Sequence, residues 1–156
     1  MSQTNAALSI RRRTAALALF QGVHLMGVIV RHVPTDDHRA ESTIAGFVRE
    51  ACSRHEVESI GIEQGTRTSL RIVHCYECAK ATLQQESTPI EEVQYAELLE
   101  SYAFTPLRLR HQLRQVAKRI WPMLDNKKFG ITALDAAVVG LHLQTRRLLN
   151  IQTENT

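Results

Sequence analysis

Three apolar segments near the beginning of the chain constrain the fold most strongly, because the links between them are too short to hold a helix. Their sequences are AALSIR (6–11), TAALALF (14–20) and VHLMGVIVRHV (23–33). Each has the length and apolar character of a buried β-strand, and Gln21-Gly22 has the composition of a turn. Parallel neighbours need a crossover of a dozen residues or more, so we predict an antiparallel meander.

The rest of the chain alternates between helical and strand patterns. Apolar residues recur at helical spacing in four segments, and two short apolar runs bounded by turn residues have the pattern of strands. The predicted elements are helix 37–55, strand 59–63, helix 68–85, strand 90–95, a helix that starts at Thr105-Pro106, and a last helix 132–149. This order predicts an α/β fold: a five-stranded mixed sheet, three antiparallel strands plus two further strands, with helices on both faces.

Length and composition favour a single domain. The chain has 156 residues, 44% of them hydrophobic, which is enough for one core. We expect one domain over residues 1–150, followed by a short polar tail, 151–156, that frays. No apolar run is long enough for a membrane span, and the start of the chain lacks a charged leader followed by an apolar stretch. We therefore expect a cytoplasmic protein without a membrane partner.

The basic residues are mostly arginines and are clustered. The formal net charge is only +3, but just four of the 19 basic residues are lysines. Arginine suits bidentate recognition of phosphate better than lysine does. Clustered cations on a modestly basic chain favour an anionic partner, with nucleic acid as the first candidate.

Two acidic residues stand at the ends of predicted elements. Glu63 ends the predicted fourth strand, and Asp135 falls in the first turn of the last predicted helix, among apolar neighbours. A carboxylate at a helix start can simply stabilise the positive end of the helix dipole. The alternative is a carboxylate aimed at a metal ion across the end of a strand. The residues alone leave both interpretations open.

Taken in order, five segments resemble the RuvC family of Holliday-junction endonucleases, within the RNase H-like superfamily. The similarity covers roughly Leu8 to Leu149 and depends on element order and local pattern. The segments are ALSIRRRTAALALFQGVHLMGVIV, SIGIEQG, RIVHCYECAKATLQQESTPIEEVQYAELL, RLRHQLRQVAKRIWPML and ITALDAAVVGLHLQ. The resemblance implies a DNA partner rather than RNA, branched DNA as the substrate, and a homodimer.

The resemblance also implies two Mg²⁺ or Mn²⁺ ions held by carboxylates, one ion activating water and the other stabilising the leaving oxygen. Glu63 and Asp135 match two of the family's acids. The other two positions hold Thr132 and Arg11. An arginine in place of an aspartate changes the local charge by two units, and a cation about 4 Å away disfavours a bound metal by about 1–4 kcal/mol. We therefore predict a nucleic-acid-binding protein whose catalytic activity is weakened or lost, with Arg11 paired to Glu63 or Asp135.

The resemblance places a basic surface where RuvC proteins contact DNA with lysines. The predicted nucleic-acid-binding residues are Arg11, Arg12, Arg13, Arg67, Arg71, Arg108, Arg114, Lys118 and Arg119.

Two alternatives stay open at this point. The first is an active metal-dependent endonuclease with a rearranged site, in which Asp36, Asp37 or an acid from a partner chain replaces the missing ligand. His142, two turns after Asp135, would be a further metal ligand or base in that arrangement. The second is a pseudo-enzyme that acts as a protein-interaction subunit and whose arginines pair with an acidic partner.

The segment HCYEC (74–78) raises the question of a zinc site. Cys75 and Cys78 lie three residues apart, with His74 adjacent and Cys52 elsewhere in the chain. A structural zinc site needs four ligands, usually as two such pairs, and no second pair exists. We predict buried or half-buried thiols between helix and sheet instead.

Overall fold

The five predicted strands form one mixed sheet. A computed structural model describes residues 3–64, 69–94 and 109–154. The strands are β1 Thr4–Ile10, β2 Thr14–Gln21, β3 His24–His32, β4 Val57–Gln64 and β5 Ile90–Gln94. Their order across the sheet is β3-β2-β1-β4-β5. The first three are antiparallel, whereas β4 lies parallel to β1 and β5 parallel to β4, which confirms the predicted fold class.

Four α-helices are described. They are α1 Asp37–His55, α2 Leu70–Gln85, α3 Leu109–Ile120 and α4 Ile131–Glu154. The predicted helix start at Thr105-Pro106 lies outside the described residues. The last helix continues to Glu154, so residues 151–154, which we expected to fray, are helical. No helix in the described part of the chain has the length and apolar character needed to cross a membrane.

The sheet separates two apolar cores because successive strand residues point to opposite faces. In β2, Leu17 and Leu19 face α1 and α2, whereas Ala18 and Phe20 face α3 and α4. We call these the α1/α2 face and the α3/α4 face.

On the α3/α4 face, two glycines let helix and sheet approach closely. A methyl group at Gly61 of β4 would lie 2.0 Å from the Leu143 side chain, and one at Gly140 of α4 would lie 2.2 Å from the Phe20 ring. Phe20 is itself fixed against Trp121, with ring centroids 5.2 Å apart. The α4 helix is therefore held against the sheet at a fixed depth, which sets the position of the polar residues near its start.

Candidate functional site

The carboxyl end of β1 meets that of β4 at one edge of the sheet. The Arg11–Arg13 turn joins β1 to β2 and is closed by a hydrogen bond from Arg11 N to Thr14 O, 2.8 Å long. Leu8 of β1 lies opposite Ile62 of β4, so the next β4 residue, Glu63, reaches the same edge. Because Gly61 faces α4, the alternation of the strand points Glu63 to the α3/α4 face as well.

Asp135 is bound by two arginines. Arg114 donates from Nε to Asp135 Oδ1 at 2.7 Å and from Nη2 to Oδ2 at 3.2 Å. Arg11 donates from Nη1 to Oδ2 at 3.1 Å. The Asp135 side chain is only 6% exposed, so the carboxylate is shielded from water and both of its oxygens are engaged. We call these three residues the Arg–Asp–Arg cluster; they confirm the prediction that Arg11 pairs with an acid of this site.

The expected position of Asp135 within the helix was wrong. Because α4 begins at Ile131, Asp135 is the fifth helical residue, and the first turn holds no acidic residue. The helix-dipole interpretation therefore does not apply, since that effect is confined to the first turn. Asp135 instead faces inward, where its partners are guanidinium groups from two other elements.

Neighbouring contacts hold the cluster in place. Arg114 follows Leu113, and α3 packs against the sheet and α4 through the buried Leu113 and Ala117. On the other side, the backbone N–H of Ile10 donates to the Tyr76 hydroxyl at 2.7 Å, which fixes the last residue of β1. Both arginines thus extend from anchored backbone.

Thr132 and Thr14 form a second polar contact beside the cluster. Their hydroxyl oxygens are 2.5 Å apart, and Thr132 is buried. The contact joins the first turn of α4 to the start of β2. Thr132, at a position where the resemblance implies a metal-binding acid, has a structural partner in the sheet.

The side chains present do not fit a two-metal site as they are arranged. Divalent Mg²⁺ and Mn²⁺ bind oxygen ligands that must be free to coordinate them. Both oxygens of Asp135 accept hydrogen bonds from guanidinium groups, and Arg11 places a positive charge beside the carboxylate. Among the residues described, no three His, Cys, Asp or Glu side chains lie close enough together to hold a metal ion.

Glu63 and His142, the other predicted metal ligands, are both buried. His142 follows Asp135 by seven residues, about two turns, and so lies on the same side of α4. Their role as ligands remains a prediction.

The acids considered as replacement ligands lie at the start of α1. Asp36 accepts a hydrogen bond from the backbone N–H of Arg39 at 2.9 Å and caps the helix. Asp37 Oδ1 lies 3.8 Å from Arg71 Nη1. Neither carboxylate belongs to the Arg–Asp–Arg cluster.

The predicted basic residues are distributed over several elements. Arg12 and Arg13 are exposed at the β1–β2 turn, and Arg119 is exposed on α3. Lys118 lies 4.0 Å from Asp125. Arg71 donates to the backbone carbonyls of Pro34 and Thr35 and so anchors the link between β3 and α1. Arg67 and Arg108 lie outside the described residues.

The cysteines behave as packed thiols, as predicted. All three are free; Cys52 and Cys75 are buried, and the Cys78 thiol donates to the Glu41 carbonyl at 3.3 Å. Burial raises the pKa of each thiol, so all three are protonated at neutral pH.

Two features of the site were missed from the sequence. Arg114 was predicted to bind nucleic acid, which stays a prediction, but its bidentate contact with Asp135 was not foreseen. Tyr76 was not singled out at all. Its only sequence signal is an aromatic residue with a polar tip within the apolar stripe of α2, a residue type that finds a hydrogen-bond partner when buried.

Solved structures similar to this chain over most of its length include RuvC and a Holliday junction resolvase. No family model matches the sequence, and no curated protein matches it. RuvC of Thermus thermophilus in complex with a Holliday junction substrate has a TM-score of 0.75 at 12% identity, over 94% of this chain and 96% of that one. A second structure of Thermus thermophilus RuvC gives 0.71 at 12% identity, with the same coverage of both chains. The yeast mitochondrial Holliday junction resolvase gives 0.60 at 10% identity, over 99% of this chain and 86% of that one. The expected resemblance to RuvC is therefore confirmed at the level of the fold.

Proposed function

We propose that the protein binds branched or structured DNA through the edge of the sheet that carries Arg11–Arg13, and that its metal-dependent cleavage is weakened or lost. One observation carries the proposal: in the fold of a junction resolvase, Asp135 is bound by Arg11 and Arg114 through both oxygens. A carboxylate held by two guanidinium groups is a poor metal ligand, because a metal would have to displace both and sit beside their charge.

The distribution of charge supports a DNA partner. The exposed turn residues Arg12 and Arg13 adjoin Arg11, and α3 adds Lys118 and Arg119 beside Arg114. Cations spaced along neighbouring elements match the spaced phosphates of a nucleic-acid backbone. A structure with this fold was solved with a Holliday junction substrate, which makes the four-way junction the first DNA to test.

The proposed assembly is a homodimer, since two sites are needed to engage a four-way junction symmetrically. Light scattering coupled to size-exclusion chromatography measures the mass of the particle directly. We expect twice the chain mass of 17.6 kDa.

The test is a gel shift with four-way, duplex and single-stranded DNA, together with a cleavage assay in Mg²⁺ and in Mn²⁺. We expect a shift with the four-way junction at lower protein concentration than with duplex, and no cleavage in either metal. Cleavage that disappears in both Glu63→Ala and Asp135→Ala would show an active nuclease. Failure to shift any DNA would instead favour a protein-interaction subunit.

A further inference from the structure

We infer that the Arg11 guanidinium takes the place of a divalent cation at this site and forms a metal-independent contact for one backbone phosphate. The inference rests on the proposed function, because it names the chemical group that the Arg11 end of the sheet recognises. It also gives a role to the positive charge that Arg11 places beside Asp135.

The two arginines of the cluster are not equivalent. Arg114 uses two nitrogens on Asp135, and its side chain is only 18% exposed. Arg11 uses one nitrogen, Nη1, and its side chain is 48% exposed. A guanidinium group has five N–H donors, so most of those on Arg11 remain for other acceptors. Arg114 thus neutralises the carboxylate, and Arg11 keeps a charge and donors that a ligand can reach.

Charge counting gives the same result. Two guanidinium groups and one carboxylate leave the cluster with a net charge of +1. A single phosphodiester carries a charge of −1, and a guanidinium group binds its oxygens in bidentate geometry. The remaining donors of Arg11 therefore match the oxygens of one backbone phosphate.

Arg11 is also preorganised. Its backbone N–H is fixed to Thr14 O at 2.8 Å, and its side chain is held by Asp135. The side chain therefore loses little conformational freedom when it binds a phosphate. Arg12 and Arg13, exposed at the same turn, provide the comparison within one tripeptide.

The first measurement is fluorescence anisotropy with a labelled four-way junction, in EDTA and in Mg²⁺, across a salt series. We expect the wild-type protein to bind with the same affinity in EDTA and in Mg²⁺. Arg11→Gln should lower the affinity about 10-fold and make the plot of log K against log salt shallower by about one unit. Arg11→Lys, which keeps the charge, should recover part of the affinity.

Arg12→Gln and Arg54→Gln are the matched controls. Arg12→Gln removes the same charge one residue away and should have a smaller effect, because that side chain is not preorganised. Arg54 lies at the end of α1 and is 72% exposed, and its substitution should leave the affinity unchanged. Circular dichroism of each variant confirms that the fold is kept.

A second measurement asks whether Arg11 substitutes for a metal. Electron paramagnetic resonance of free Mn²⁺ should show no site on the wild-type protein and a gained site on the double variant Arg11→Asp/Arg114→Gln, in which neither guanidinium group holds Asp135. Junction binding by this double variant should then be weak in EDTA and recover in Mg²⁺.

The outcomes separate the two claims. If the wild-type protein binds no DNA, the proposed function fails, and this inference fails with it. If the wild-type protein binds the junction but Arg11→Gln behaves like Arg54→Gln, the inference alone is overturned. Wild-type binding that requires Mg²⁺, or an Arg11→Asp/Arg114→Gln variant that gains no Mn²⁺, overturns it as well.

Discussion

The two faces of the sheet are built from the same five strands, yet only one contains a group of buried polar residues. Among the described residues, the α1/α2 face buries the polar side chain of Thr82, whose hydroxyl donates to Cys78 O in its own helix at 2.9 Å, and the aromatic Tyr76, whose hydroxyl accepts from Ile10 N at 2.7 Å. The α3/α4 face holds the others, which are Ser9, Glu63, Thr132, Asp135 and His142. Burying polar groups lowers stability unless each is paired, so a concentration of them on one face indicates a functional constraint there.

The way these groups are paired also differs between the faces. Thr82 finds its partner four residues away, whereas Asp135 is bound by Arg11, 124 residues distant, and by Arg114, 21 residues distant. On the α1/α2 face the Thr82 contact follows from helix formation, whereas the contact between the Tyr76 hydroxyl and Ile10 N joins α2 to β1. On the α3/α4 face the contacts of Asp135 exist only when the whole domain has assembled, which makes that face sensitive to single changes in charge.

The largest expected effect on stability comes from a substitution on the α1/α2 face. Phe47→Ala removes a buried ring from the core between α1 and the sheet, and should lower the free energy of unfolding by about 3–5 kcal/mol. Urea denaturation measures the change. Because the Arg–Asp–Arg cluster lies on the other face, junction affinity of the folded variant should equal that of the wild type. A loss of affinity in protein that is still folded would show that the α1/α2 face also contributes to junction binding.

Asp135→Asn should lower the free energy of unfolding slightly less than Phe47→Ala does. Unlike Phe47→Ala, it should also change junction affinity. Removing one partner of a buried ion pair costs about 3 kcal/mol, since Arg114 is left without its carboxylate. The same change removes a negative charge beside both guanidinium groups, and we expect this to outweigh the loss of the contact that holds Arg11, so junction affinity in EDTA should rise. Glu50→Gln, an exposed acid on α1, is the control for a charge change alone and should leave both quantities nearly unaltered. Junction affinity that falls in Asp135→Asn would contradict the account.

A pair of glycine substitutions compares the packing of the two faces. Gly140→Ala places a methyl group 2.2 Å from the Phe20 ring, which is held against Trp121, and should lower the free energy of unfolding by about 1–3 kcal/mol. Gly46→Ala, in α1, meets no atom within 4 Å and should raise it by about 0.5–1 kcal/mol. Thermal denaturation of the two variants should therefore shift in opposite directions. Equal shifts would mean that α4 is not held at a fixed depth.

The smallest effect is expected at the far end of α4. There Arg147 binds Glu91, and both side chains are about one third exposed, so water screens the pair. Arg147→Ala should lower the free energy of unfolding by about 0.5–1 kcal/mol and leave junction affinity unchanged. A loss of unfolding free energy comparable to that of Asp135→Asn would show that the partly exposed Arg147–Glu91 pair contributes as much as the buried contacts of Asp135.

The sheet could be predicted from the sequence because its signals are local. The short links Arg11–Arg13 and Gly22-Val23 leave only antiparallel pairing for β1, β2 and β3, and the spacing of Ile44, Phe47 and Ala51 predicts α1. The ends of the helices were harder to predict from the sequence. The last helix begins at Ile131 and includes residues 151–154, so both of its ends lie outside the predicted bounds.

The chemistry of the site was only partly predictable. The resemblance placed Arg11 beside the remaining acids, and charge predicted a pair with Glu63 or Asp135; the structure shows the pair with Asp135. That Arg114 would bind Asp135 depends on how α3 packs on α4, and no local pattern encodes this contact. The Tyr76 hydroxyl is a similar case, because the N–H it accepts belongs to Ile10, 66 residues away.

The central claim is that guanidinium groups, rather than metal ions, bind the Asp135 carboxylate. The most direct test is a crystal soaked in Mn²⁺, with anomalous diffraction measured at the manganese absorption edge. We predict Arg11 and Arg114 bonded to Asp135 and no anomalous peak between Asp135 and Glu63. A manganese peak at that position, with Arg11 turned away from Asp135, would contradict the account.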